Sequence, residues 1–135
     1  MNITADTNVL IRAAVNDDLV QSPLAVATLR NAATVAVTLP ALCEFVWVLR
    51  RWYKLAPDEV AGAIRQLIAS GSVQSDRPAI EAGLEMLDRN GDFADGVIAF
   101  EGRRLGGTVF ASFDVAACAL VEASGGTVQR LAALP

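Results

Sequence analysis

The chain has 135 residues, 53% of them hydrophobic, and a formal net charge of −4. That length and apolar content suit one domain, 1–135, with a buried core, and exclude disorder. No apolar run approaches the ~20 residues that span a bilayer, and the acidic balance differs from the usual basic nucleic-acid binder while leaving room for a local basic patch.

Taken in chain order, Asn2–Ala5 reads as a strand that runs into a short helix over Val9–Val15. Asp17-Asp18 reads as a turn and cap ahead of a helix over Asp18–Ala32. A strand over Thr34–Thr38 leads to a helix over Pro40–Trp52, with proline at a suitable first helical position. Ala56–Ala69 carries Pro57-Asp58-Glu59 in its first turn, a normal acidic helix start. A weak strand near Ser72–Ser75 precedes a helix over Asp76–Asn90, closed by Asn90-Gly91. The chain ends with a helix over Asp92–Leu105, a strand over Val109–Ser112, a helix over Val115–Ala123 and a strand over Thr127–Arg130. Strands alternating with helices predict an α/β fold, with a mostly parallel central sheet and helices on both faces. Short apolar strands are expected to be buried ones. In such sheets, sites form beyond the carboxyl ends of strands at a topological switch point. That rule picks out Asp6, after the first strand, and Asp114, after "TVFAS".

The absences narrow the chemistry. Without histidine there is no His general base, no Ser–His–Asp triad and no imidazole ligand. No CxxC pair exists to build a zinc site. Cys43 and Cys118 are far apart in apolar runs and read as buried thiols of a cytoplasmic protein. The N-terminus has no positive run followed by an apolar segment, so no secretory signal is expected. Lys54 is the only lysine, which removes a Walker-type phosphate lysine and most Schiff-base chemistry. Carboxylates, hydroxyls and arginines remain, and carboxylates suit hard cations such as Mg²⁺ or Mn²⁺.

Four acids stand out. Asp6 lies where the first strand gives way to the first helix, among residues that also cap helices well. Glu44 is the one charged residue in "ALCEFVWVL", a helix with no obvious wet side, and an unpaired buried carboxylate there costs several kcal/mol. Asp92 and Asp95 in "NGDFADGVIAF" read plainly as a cap and a first-turn acid; their i, i+3 spacing also puts both on one side of a helix. Asp114 completes the set.

The motifs "ADTNVLI", "PALCEFVWVLR", "DFADGVIA" and "FASFD", in that order and spanning nearly the whole chain, resemble those of the PIN domain, and within it the VapC-type toxins of bacterial toxin–antitoxin pairs. The resemblance implies a single three-layer PIN-like α/β domain acting as an Mg²⁺- or Mn²⁺-dependent endoribonuclease. It implies an acidic pocket of Asp6, Glu44, Asp95 and Asp114 that binds the metal. Asp92 would be an auxiliary acid, with Thr7, Asn8 and Ser112 as hydrogen-bonding neighbours. It further implies a cytoplasmic homodimer whose partners are RNA and a small cognate antitoxin that blocks the active site. Contact with DNA would be indirect, through the antitoxin, and no membrane is involved.

Carboxylates brought together repel, and a divalent ion relieves the repulsion. No side chain is an obvious general base, so the expected attack is by metal-activated water, leaving 5′-phosphate and 3′-hydroxyl ends. Two basic stretches are candidates for RNA contact: Arg50, Arg51 and Lys54 in "LRRWYKL", and Arg103-Arg104. The plainer reading for both is a helix C-terminus, where cations are favourable, with Trp52 and Tyr53 packed in the core or a dimer interface. Trp47 reads as core or dimer interface. Two other classes compete. A catalytically inactive PIN-like module that binds RNA or protein would usually have lost one of the acids. A phospho-receiver domain needs a lysine after its last strand, and Lys54 lies in a helical stretch.

Overall fold

A computed structural model describes residues 1–132; positions 133–135, the end of the expected 1–135 domain, lie outside the described residues. The chain forms two compact units, one over Met1–Arg77 and one from Pro78 onward.

The first unit contains β1 (Asn2–Thr4), α1 (Thr7–Ala14), α2 (Gln21–Asn31), β2 (Thr34–Ala36), α3 (Leu39–Arg51), α4 (Pro57–Ile68) and β3 (Val73–Gln74). Its three strands are parallel in the order β1-β2-β3, with Ile3 opposite Val35 and Val35 opposite Val73. Val35, on the central strand, is 1% exposed. Around it Leu10, Leu42, Phe45, Leu49, Val60 and Ile64 are buried. The helices bring these side chains inward at helical spacing: Leu42, Phe45, Val46 and Leu49 form one stripe of α3. Thr38 caps α3 by accepting the Ala41 N–H at 3.3 Å, and Pro40 fits its first turn. At α4 the Glu59 carboxylate reaches back to accept the Ala56 N–H at 3.0 Å.

The second unit holds α5 (Arg77–Asp88, starting at the boundary), α6 (Phe93–Arg104), β4 (Val109–Ser112), α7 (Val115–Ala123) and β5 (Thr127–Arg130). β4 and β5 pair in parallel, from Val109 opposite Thr127 to Ser112 opposite Arg130. Asn90 adopts φ 64° and closes α5, and the following Gly91 N–H donates to the Met86 carbonyl at 2.7 Å. Gly125 closes α7 at φ +92°, a left-handed position that glycine reaches without strain.

All five expected strands and all seven expected helices are present, and every strand pair is parallel. One central sheet was expected; the described strands form two parallel ladders, one within each unit. The strands are also wetter than expected: on β4, Val109 and Ala111 are exposed and alternate with Phe110 and Ser112. Two helix starts differ for one reason. α1 begins at Thr7, before Val9, because Asp6 caps it. α2 begins at Gln21, after Asp18, because the Asp18 carboxylate accepts the Val20 and Gln21 N–H groups at 2.9 and 2.7 Å and holds residues 18–20 in a turn. Those bonds, Gln21's the stronger, also lower the Asp18 pKa.

Among the described residues, no helix is long and apolar enough to cross a membrane. Cys43 and Cys118 are free thiols; Cys118 is buried as expected, while Cys43 is only partly covered.

Candidate active site

Three of the candidate acids occupy the same kind of place, the N-cap of a helix. Asp6 follows β1 and accepts the Thr7 N–H at 2.8 Å. Asp92 precedes α6 and accepts the Ala94 N–H at 2.8 Å. Asp114 follows β4 and accepts the Ala117 N–H at 3.0 Å. Each bond employs one named carboxylate oxygen, and the helix start also favours negative charge. The capping role raised by the sequence is therefore real, and it sets the direction in which each carboxylate is presented. Ser112 assists at Asp114, its Oγ accepting the Asp114 N–H at 3.0 Å. Thr7 is buried beside Asp6, whereas Asn8 is exposed.

Asp95 sits in the first turn of α6, half-buried. Its pKa is raised above the ordinary 3.8, first by burial and then by the negative charges of Asp92 and Asp114. The second unit thus brings Asp92, Asp95 and Asp114 close enough to repel one another. Close helix packing produces this arrangement. A Cβ on Gly96 would collide with the Ala82 carbonyl of α5, and a Cβ on Gly83 would fall 2.6 Å from the buried Phe93 ring. With no side chain at either position, the α6 start can seat on α5. Gly91, just ahead of Asp92, leaves room for the Leu120 side chain of α7.

Asp6 and Glu44 belong to the first unit, where α1 and α3 pack together. Glu44 is exposed. The expectation that its helix lacks a wet side is corrected: Pro40, Glu44, Trp47 and Arg51 are all exposed along one face of α3. Trp47, read from sequence as core or dimer interface, is 55% exposed in this chain. Its spacing from Glu44 and Arg51, i+3 and then i+4, is the signal that could have revealed the stripe. Among the described residues, no group of three or more His, Cys, Asp or Glu side chains is arranged to hold a metal ion. The donor chemistry nevertheless fits a hard cation, because like charges press on Asp95 and an oxygen-loving ion removes that pressure.

The basic candidates have defined surroundings. Arg50 donates to the Leu55 carbonyl at 2.8 Å and tacks down the turn after α3, in which Lys54 takes a left-handed φ of 56°. The Arg51 guanidinium lies 5.9 Å from the centre of the Trp47 ring. Trp52 is 70% exposed and does not join the core. Tyr53 is half-buried and donates its hydroxyl to Asp17 at 3.0 Å, while Asp17 also pairs with Arg12 at 3.1 Å. Arg104 lies along its own helix, 4.5 Å from the centre of the Phe100 ring and 3.7 Å from the Glu101 carboxylate. Arg103 is exposed.

Compared with known protein families, the chain matches the PIN domain over residues 3–121, which includes every candidate acid. This chain belongs to the PIN-domain family. No curated protein matches it. The family assignment supports the three-layer α/β class expected from the strand–helix alternation. The PIN domain is a nuclease-type fold, and its members are generally hydrolases that depend on divalent metal ions.

Proposed function

We propose that this PIN domain is an endoribonuclease dependent on Mg²⁺ or Mn²⁺, with Asp6, Glu44, Asp95 and Asp114 as the metal-binding catalytic acids and Asp92 as an auxiliary one. The observation that carries the reading is the family match across a chain that retains all four acids at the motif positions. The crowding of Asp95 by Asp92 and Asp114 supports it, because such crowding at a helix start is unfavourable without a cation. A divalent ion there supplies Lewis-acid polarisation of a phosphoryl oxygen and activation of water. The protein's part is to present carboxylates in fixed directions, which the caps at Asp6, Asp92 and Asp114 do, and Ser112 holds the Asp114 backbone in place.

The further reading is a toxin of the VapC type, working in the cytoplasm as a homodimer and silenced by a small antitoxin that blocks the acidic site. The antitoxin would provide any contact with DNA. Its support is the resemblance of the four motifs, in order, to that group.

The decisive experiment is cleavage of RNA by purified protein with Mg²⁺ or Mn²⁺, with EDTA, and with the Asp6→Asn variant. Cleavage that needs the metal and Asp6, and that leaves 5′-phosphate and 3′-hydroxyl ends, is expected. A 2′,3′-cyclic phosphate product overturns the metal-activated-water reading, and activity equal to that of Asp6→Asn leaves only a binding module. For the toxin role, expression arrests growth, and co-expression of the product of a short adjacent reading frame relieves it.

A further inference from the structure

The wet stripe of α3 places Glu44, Trp47 and Arg51 on one exposed helix face. An indole more than half exposed is unusual in a chain that buries its other large α3 side chains completely: Leu42 and Leu49 are 0% exposed and Phe45 is 2% exposed. Beside it, Arg50, Arg51 and Lys54 gather three of the chain's eleven basic residues into five consecutive positions. We propose that Trp47 is a base-stacking platform for single-stranded RNA, with Arg51 holding the adjacent phosphate, so that α3 grips an unpaired nucleotide one turn from Glu44. This rests on the ribonuclease reading and adds the strandedness of the substrate and the residue that selects it.

The chemistry favours RNA over a second copy of the chain. A two-fold contact centred on this face would set Arg50, Arg51 and Lys54 against their own copies. A polyanion meets them with opposite charge, in a protein whose overall charge of −4 is otherwise unsuited to nucleic acid. A flat π-face beside a guanidinium accepts any exposed base, but a base stacked inside a duplex cannot reach it. The platform therefore selects unpaired RNA without demanding a particular sequence.

Binding tests the proposal without requiring cleavage. The chain has two tryptophans, so Trp52→Phe leaves Trp47 as the sole indole fluorophore. In that variant, with Asp95→Asn added and EDTA present, a single-stranded oligoribonucleotide quenches the fluorescence, and a duplex of the same sequence does so only weakly. Trp47→Leu, which keeps apolar bulk but has no π-face, loses about tenfold in affinity for the single strand, while Trp47→Phe keeps most of it. Arg51→Gln lowers the slope of log affinity against log salt by about one. Equal binding by the Leu and Phe variants overturns the platform, as does equal quenching by single strand and duplex. A drop in affinity accompanied by a shift from dimer to monomer in sedimentation also overturns it, assigning the indole to an interface between copies. If wild-type protein cleaves no RNA yet Trp47 is quenched by the single strand, the nuclease reading fails and the platform stands.

Discussion

At Asp114 a carboxylate oxygen already accepts the Ala117 N–H, so a substitution there alters a helix cap as well as any chemistry. The two effects separate with the right pair of variants. Asparagine caps a helix about as well as aspartate, so Asp114→Asn retains wild-type thermal stability while losing metal-dependent cleavage. Asp114→Ala loses both, with a stability cost of about 1 kcal/mol for the missing cap, measured by urea denaturation. Asp95 behaves in the opposite way, because the fold works against its charge. Its raised pKa means that the folded state binds this proton more tightly than the unfolded chain does. Its contribution to stability is therefore fully present below pH 3.8 and is lost as pH rises through the higher folded value. Asp95→Asn abolishes cleavage yet melts higher than wild type at pH 7 in EDTA. The gain is about 1 kcal/mol or less, since solvent screens a half-exposed carboxylate. Melting curves across a pH series check the sign: the gap between variant and wild type closes on acidification.

Elements were largely legible in the sequence because their ends carry strong local chemistry. Proline in the first turns of α3 and α4, Asn90-Gly91 after α5 and Gly125-Gly126 after α7 all mark boundaries that the structure keeps. Where boundaries moved, a short side chain outcompeted the helix for backbone N–H groups, as Asp18 does before α2. The exposure of α3 was less legible. Composition alone suggested a helix buried all round, and only the Pro40-Glu44-Trp47-Arg51 spacing distinguishes its wet face. Glycines were not legible either, since what a Cβ would meet depends on a neighbouring helix. This predicts opposite signs for one substitution at two helical sites. Nothing lies within 4 Å of a Cβ on Gly62 in α4, so Gly62→Ala gains about 1 kcal/mol from helix propensity. At Gly96 the methyl would be driven into the Ala82 carbonyl, with Met86 Cγ 2.7 Å away. Backbone cannot yield cheaply there, so Gly96→Ala costs about 1–3 kcal/mol and shifts the turn that carries Asp95. Urea midpoints of the two variants, set against wild type, test both signs together.

At the scale of the whole molecule, the four acids were found because each motif surrounds its acid with recognisable neighbours, not because any acid is unusual by itself. Each has an ordinary role in its own element: Asp6, Asp92 and Asp114 as caps and Glu44 on a wet helix face. What distinguishes a cation-binding set from four unrelated surface acids is thermodynamic coupling. A ligand that binds only the folded chain raises its stability by RT ln(1 + [L]/Kd), so Mg²⁺ or Mn²⁺ at about 100 times Kd adds about 2.7 kcal/mol. Wild-type protein should therefore melt several degrees higher with Mn²⁺ than with EDTA. Asp6→Asn and Asp95→Asn should each abolish the whole shift, although one residue lies in the first unit and the other in the second. Independent weak sites predict a different result, in which each variant removes only part of the shift and the double variant removes the sum. Calorimetric titration of Mn²⁺ into wild type and the two single variants distinguishes these cases. One binding event lost in either variant ties the acids to a common ion, and a residual event in either one breaks that tie.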